Sequence, residues 1–387
     1  MKKILLFMFL IIILFMSGFL SYKILSDKFS KIPDDRLPTN DLPPKDIIPT
    51  EPTNKEKAEK LLKTMTLEEK VGQMFLVRCN PDTAIEDIQK YHIGGFILFD
   101  ANIANHTKES LASTIENYQV TSDIALLVAV DEEGGTVNRL SWYPEFRAVP
   151  FPSPQDLYNE GGFPLIISDT EEKAKLLKNL GINLNLAPVA DLSTNPYDFI
   201  YDRTFGKDAF ETSKYVETVV KVMKDQNIGS TLKHFPGYGN NLDTHTGISI
   251  DERSYKNFLE NDFLPFKAGI KAGAGSILVS HNIVKAMDEN LPASLSTNVN
   301  KIIRDELNFD GVVMTDDLQM DAIKEYIGDA SSAVLAVQAG NDLIIASNFE
   351  LQIPLVIEAV KNGEISEERI NEAVLRILSW KFELGIL

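Results

Sequence analysis

From about residue 55 onward, short apolar runs alternate with longer segments of helical spacing. The runs are Val71–Arg78, Gly94–Phe99, Ala125–Val130, Ile182–Ala187, Gly229–Leu232, Ser276–Ser280, Gly311–Met314 and Leu343–Ala346. Between them, apolar residues recur every three to four positions over Thr107–Gln119, Glu171–Leu180, Glu211–Gln226, Tyr255–Ala272 and Asp321–Ala339, and then over Leu355–Lys361 and Glu367–Phe382. Runs too short for helices, each followed by a helical segment, predict parallel strands joined by crossover helices. Eight such units predict a (β/α)8 barrel. A doubly wound sheet is the alternative, but the chain has neither a GxGxxG turn nor a P-loop to support it.

The strand ends carry the chemistry. The third run ends in Asp131-Glu132-Glu133-Gly134-Gly135, the fifth in Lys233-His234, the sixth in Ser280-His281-Asn282 and the seventh in Thr315-Asp316-Asp317. In a barrel these ends share one rim, where active sites form. The densest segment is Thr231–Gly247, TLKHFPGYGNNLDTHTG. It runs from an apolar lead through a turn at Pro236, Gly237 and Gly239 to Asp243 and His245.

Ahead of the alternating region, Lys2 and Lys3 precede an almost wholly apolar stretch, Ile4–Leu20. At about 17 residues it is short for a spanning helix and long for a signal-peptide core. No A-x-A cleavage pattern follows and no cysteine is at hand for a lipid, so residues 1–26 are expected to be an uncleaved signal anchor rather than a cleaved signal peptide. The lysines would keep the N-terminus cytoplasmic. Residues 27–54, rich in proline and acidic groups without a sustained period, are expected to be an extended stalk carrying a domain over 55–387 outside the membrane.

Composition narrows the partners. Among 387 residues the formal net charge is −18, which repels nucleic-acid phosphates and excludes nucleic acid as a partner. The single cysteine, Cys79, lies in an apolar run and is expected to be a buried thiol; alone it forms no intrachain disulfide.

Each candidate side chain has a structural and a chemical reading. An aspartate after a strand either caps the next helix or serves as nucleophile, base or metal ligand. With two in sequence, Asp316 is expected in the barrel mouth and Asp317 as the cap or supporting group. Asp243 and His245 are either a solvated turn or an imidazole proton shuttle held by a carboxylate. Asp131 with Glu132 and Glu133 is either an acidic turn or a grip on paired sugar hydroxyls, with Gly134 and Gly135 permitting close approach. Arg139 and Arg203 read equally as surface arginines. Lys233 adjoins an apolar run and needs a partner. His234, His245, His281 and Asp316 are all potential metal ligands, but no HxH pair or HExxH helix supports a metal, and none is expected.

Together VDEEGGTVNRL, RTFG, KHFPGYGNNLDTHTG and VVMTDDLQM, in that order, resemble the bacterial β-N-acetylglucosaminidases of glycoside hydrolase family 3. The resemblance covers most of Lys55–Leu387. It implies Asp316 as nucleophile, His245 as acid/base and Asp243 as its dyad partner. Asp131, Arg139, Arg203, Lys233 and His234 would bind the sugar in the −1 subsite, with no cofactor. It further implies retaining hydrolysis of terminal β-linked N-acetylglucosamine from wall fragments or chito-oligosaccharides. A β-glucosidase-like hydrolase of the same family, a non-catalytic sugar-binding barrel and a metal-dependent barrel hydrolase are the alternatives. Two positions depart from the family pattern: Tyr238 stands where histidine is common, and Thr136 where arginine is frequent.

Overall fold

A computed structural model describes residues 52–244, 247–323 and 329–387, with side chains beyond residue 323 described from residue 332. Eight parallel strands form its centre: β1 (Phe75–Arg78), β2 (Gly95–Ile97), β3 (Leu127–Val130), β4 (Leu184–Asn185), β5 (Gly229–Phe235), β6 (Ser276–Val279), β7 (Val312–Thr315) and β8 (Ile344–Ala346). The sheet runs in the order β8-β1-β2-β3-β4-β5-β6-β7. A parallel bridge between Met314 and Leu343, with the Leu343 amide donating to the Val313 carbonyl at 3.1 Å, brings β7 to β8 and rounds the sheet into a barrel. The expected (β/α)8 architecture is therefore present in residues 52–387. The strands are largely apolar rather than alternating, because one face lines the barrel interior and the other lies under helices.

Helix boundaries depart from the sequence pattern where local chemistry overrides it. Val71–Gln73 are not part of the first strand. They close the helix Leu67–Gln73, which starts at a capping box where the Thr66 hydroxyl accepts from the Glu69 amide and Glu69 accepts from the Thr66 amide. Glu171–Leu180 is the second half of a longer element, Pro154–Asn179, broken at Gly162 with φ 62° and followed by Pro164. The segment Tyr255–Ala272 is helical, with a π-helical turn at Phe258–Asp262. A small parallel pair, Ile250–Asp251 with Ile283–Val284, lies outside the barrel and is too short to leave a periodic signal. Cys79 is buried as expected, and burial pushes its thiol up to about 12. Among the described residues no helix is long and apolar enough to cross a membrane. The stretch expected to be an anchor and most of the stalk lie outside them.

Beneath β1 and β2 the barrel floor holds a buried lysine. Lys381, on the helix Glu367–Glu383, donates to Gln73 Oε1 at 2.7 Å and to the Gly94 carbonyl at 2.9 Å. Two neutral acceptors do not compensate a buried charge, and burial lowers this ammonium to about 7. In the unfolded chain its pKa is roughly 10.4. Between these values the native state binds fewer protons than the unfolded state, so this group's contribution to stability rises with pH. It is fully present above the unfolded pKa and lost as pH falls through about 7. Relative to Lys381→Met, the protein should gain about 3 kcal/mol of stability between roughly pH 7 and 9.5. Urea titrations at the two pH values test this; parallel pH dependences of the two proteins would contradict it.

Candidate active site

The three carboxylates after β3 do different work. Glu132 is fully buried and accepts from the amides of Arg139 at 2.8 Å, Leu140 at 2.8 Å and Ser141 at 3.1 Å, and from the Ser141 hydroxyl at 2.5 Å. It shapes the turn that carries Arg139. Gly134 allows that turn: its φ is 103°, and a Cβ there would lie 2.3 Å from the Pro152 carbonyl oxygen. Glu133 points toward β5, and Asp131 faces a cavity at the barrel mouth.

Buried charges meet at Glu133. Its Oε1 lies 2.5 Å from Lys233 Nζ and 2.8 Å from Arg203 Nη2, while Oε2 accepts from Arg203 Nε at 3.0 Å. Lys233 also donates to Asp131 Oδ1 at 2.7 Å. Burial alone would raise the Glu133 carboxyl, but Arg203 and Lys233 outweigh it and hold it well below the usual carboxylate range. Burial likewise disfavours the charge on Lys233, yet Asp131 and Glu133 raise its affinity for the proton above the ordinary value. The network thus keeps Lys233, Arg203 and Glu133 ionised.

His234 extends this wall. Arg203 Nη2 lies 3.2 Å from His234 Nε2 and can only donate, so Nε2 accepts. The Nδ1–H then donates to Asp191 Oδ2 at 2.7 Å, and Asp191 also accepts the amides of His234 at 2.9 Å and Tyr238 at 2.7 Å. Asp191, buried on the loop after β4, was not singled out from sequence. Its signal was there, a carboxylate just past an apolar run, but Pro188 between them obscured the strand end.

Asp316 leaves the end of β7, its amide donating to the Val279 carbonyl at 3.0 Å. Its Oδ1 accepts from the Asp317 amide at 2.9 Å. The Asp317 carboxylate accepts from the Gln319 amide at 2.9 Å and from the Ser347 hydroxyl at 2.6 Å, organising the turn and tying it to the end of β8. His281 is buried and contacts Ser294 Oγ at 2.7 Å and the Asp317 carbonyl at 2.9 Å.

The cavity, about 570 Å³, is lined by Asp131, Arg139, Arg203, Lys233, His234, Asp316 and Asp317. Six of the residues expected from sequence therefore converge on one space: Asp131, Arg139, Arg203, Lys233, His234 and Asp316. Arg78 and Phe99 also line it, the guanidinium 4.2 Å from the ring centroid; neither was singled out from sequence. Asp243 is half-buried on the loop after β5 and is not among the residues lining the cavity, and His245 lies outside the described residues. Among the described residues no group of three or more His, Cys, Asp or Glu is arranged to hold a metal.

The sequence model of the Glycosyl hydrolase family 3 N terminal domain matches residues 66–380. The chain belongs to glycoside hydrolase family 3. Within the family it is 28% identical over 335 residues to beta-hexosaminidase A of Pseudoalteromonas piscicida, a match covering 79% of this chain and 56% of that protein. It is 31% identical to the beta-hexosaminidase of Methylococcus capsulatus, covering 70% of this chain and 81% of the relative. Among solved structures, a family 3 beta-N-acetylglucosaminidase from Paenibacillus sp. str. FPU-7 superposes with a TM-score of 0.78 at 32% identity, covering 83% of this chain and 63% of that one. The chain thus spans less than two thirds of the Pseudoalteromonas and Paenibacillus proteins.

Proposed function

We propose that this glycoside hydrolase is a retaining β-N-acetylhexosaminidase that removes terminal β-linked N-acetylglucosamine. The observation that carries the reading is one cavity walled by the Asp131–Lys233–Glu133–Arg203–His234 network and bordered by Asp316. The names of its relatives favour the N-acetylated sugar over glucose.

The charged wall suits a hexose. Asp131 accepts from ring hydroxyls, while Lys233, Arg203 and Arg139 donate to them. Because these charges already neutralise one another, a neutral sugar enters without leaving one uncompensated. Asp316 attacks the anomeric carbon as the glycosidic bond breaks, giving a covalent glycosyl-enzyme. His245 gives its proton to the departing oxygen and takes one from water in the second step, with Asp243 orienting the imidazole. An imidazole dyad here takes the place of the second carboxylate of most retaining glycosidases.

Hydrolysis of aryl β-N-acetylglucosaminide against aryl β-glucoside, with and without EDTA, tests the assignment. Turnover of the glucoside alone would overturn the sugar, and loss in EDTA would support the metal-dependent alternative. His245→Ala should slow substrates with poor leaving groups by about 10²-fold or more and spare those with good ones. Equal losses across leaving groups would remove the acid role.

The place of action is part of the proposal. Ile4–Leu20 reads as an anchor holding the enzyme outside the membrane, where wall polymers or chito-oligosaccharides are the substrates. Fractionation of cells producing the full chain tests this; recovery in the cytoplasmic fraction would refute it.

A further inference from the structure

His281 is a strand-end residue that the sugar network does not use. It follows β6, is fully buried and is not among the residues lining the cavity. Its Nε2 lies 2.9 Å from the Asp317 carbonyl, which can only accept, so Nε2 carries the hydrogen and donates. Its Nδ1 lies 2.7 Å from Ser294 Oγ, and in a neutral ring it accepts that hydroxyl's proton. Ser294 is a fixed footing. It is fully buried, its amide donates to the Ser280 carbonyl at 3.0 Å, and its carbonyl accepts from Asn341 Nδ2 at 2.7 Å. A buried histidine with both nitrogens satisfied is ordinarily a piece of core. This one is set apart by what its far end holds.

Residues 316–319 form the turn that leaves β7. Backbone bonds fix its flanks: the Asp316 amide donates to the Val279 carbonyl of β6 at 3.0 Å, and the Leu318 amide to the Ile345 carbonyl of β8 at 3.1 Å. Asp317 lies between these points and is set by its own contacts. Its carboxylate accepts from the Gln319 amide and the Ser347 hydroxyl, and its carbonyl from the Met320 amide at 3.0 Å and from His281. Gln319 and Met320 belong to the same segment. Among the described residues, only Ser347 and His281 therefore bond Asp317 to the neighbouring strand ends, one from each side. The Asp317 amide in turn donates to Asp316 Oδ1 at 2.9 Å. If Asp317 tilts, that amide swings away and the Asp316 carboxylate is free to rotate.

We propose that His281 is a positioning residue: by holding the Asp317 carbonyl it fixes the amide that aims the Asp316 carboxylate into the cavity. The proposal rests on the reading of Asp316 as nucleophile. Attack requires the carboxylate oxygen in line with the anomeric carbon, and a misplacement of about 1 Å costs on the order of 10²-fold in rate. The sugar itself is gripped by groups on other elements, among them Asp131 and Lys233. Losing the strut should therefore fall on kcat and spare KM.

The two ends of the imidazole can be replaced separately. A glutamine amide nitrogen reaches the place of Nε2 and still donates to Asp317. An asparagine reaches only the place of Nδ1, toward Ser294, and leaves the Asp317 carbonyl without that donor. On 4-nitrophenyl β-N-acetylglucosaminide, His281→Asn should lower kcat by about 10- to 100-fold and change KM less than about threefold. It should slow labelling of Asp316 by an activated 2-fluoro N-acetylglucosaminide by a similar factor. His281→Gln should keep both rates within about threefold of wild type, although it loses the same ring from the core. Equal kcat losses in the two variants, wild-type kcat in His281→Asn, or a loss confined to KM would overturn the proposal. Ser294→Ala keeps the ring but removes its footing, and it carries the test if His281→Asn does not fold. It should lower kcat about fivefold with KM unchanged, and wild-type kcat there would count as refutation. Amide hydrogen exchange over residues 315–320 gives a reading independent of substrate: His281→Asn should speed it and His281→Gln should not. Unchanged exchange in His281→Asn would overturn the strut. Absence of turnover and of label in the wild type would instead dispose of the hexosaminidase reading, and the exchange comparison would still decide what His281 holds.

Discussion

Asp316→Asn is expected to lower kcat by about 10⁴-fold or more while folding and substrate affinity persist. The asparagine side-chain oxygen can still accept the Asp317 amide bond, and the backbone link from residue 316 to Val279 is untouched. What disappears is the carboxylate oxygen that, in the proposed mechanism, attacks the anomeric carbon. The loss should therefore fall on kcat, with a melting temperature close to that of the parent. A 2-fluoro N-acetylglucosaminide with an activated leaving group supplies the complementary result, since it should label Asp316 in the wild type and nothing in the variant. A label on another carboxylate, or a variant retaining a tenth of the parent activity, would remove Asp316 from the nucleophile's role.

Glu133→Ala is expected to act through stability as well as binding. Among the described residues it removes the one carboxylate that meets both Arg203 and Lys233, leaving Asp131 to balance Lys233 alone and no carboxylate in an ion pair with Arg203. An uncompensated buried charge of this kind costs about 3–5 kcal/mol, which in a domain of this size lowers the melting temperature by roughly 4–7 °C. Melting curves of the two proteins at neutral pH check it, and a shift under about 2 °C would show that water reaches the cations. The pH dependence has a definite sign. A carboxyl held below its unfolded value contributes stability that is complete above that value and is lost only as pH falls through the native one. Because Glu133 lies well below the usual range, its contribution should survive ordinary mild acid, and the difference between wild type and Glu133→Ala should shrink only in strongly acidic solution.

Much of this was legible in the sequence because a barrel converts a one-dimensional rule into a three-dimensional one. Polar residues at strand ends meet at one rim, so Asp131, Lys233, His234 and Asp316 could be gathered before any coordinates. What stayed hidden is which partner each residue chooses. Nothing in DEEGG distinguishes Glu132, spent on backbone amides, from Glu133, spent on cations. The register that faces Glu133 with Lys233 is a property of closure, not of either segment. The helix Leu67–Gln73 was masked because its inward face merges with the apolar run of β1, and only the Thr66–Glu69 box marks the boundary. Tyr238 could be seen as a departure from the family pattern, but its contact with Thr244 depends on how the loop folds back.

The link from Lys381 to Gln73 spans 308 positions, and the pair that holds Lys233 to Asp131 spans 102. During synthesis the N-terminal half of the wall is exposed long before the residues that complete it. Strand β8, which lies beside β1, and the helix that floors the barrel emerge from the ribosome after every charged residue of the site has been made. Nascent chains that stop before residue 344 thus carry Asp131, Lys233 and Asp316 with no ring to set them against one another. Catalytic activity then serves as a stopwatch for barrel closure: in a synchronised translation it should appear only after the last strand and its helix are released, in one step rather than in stages.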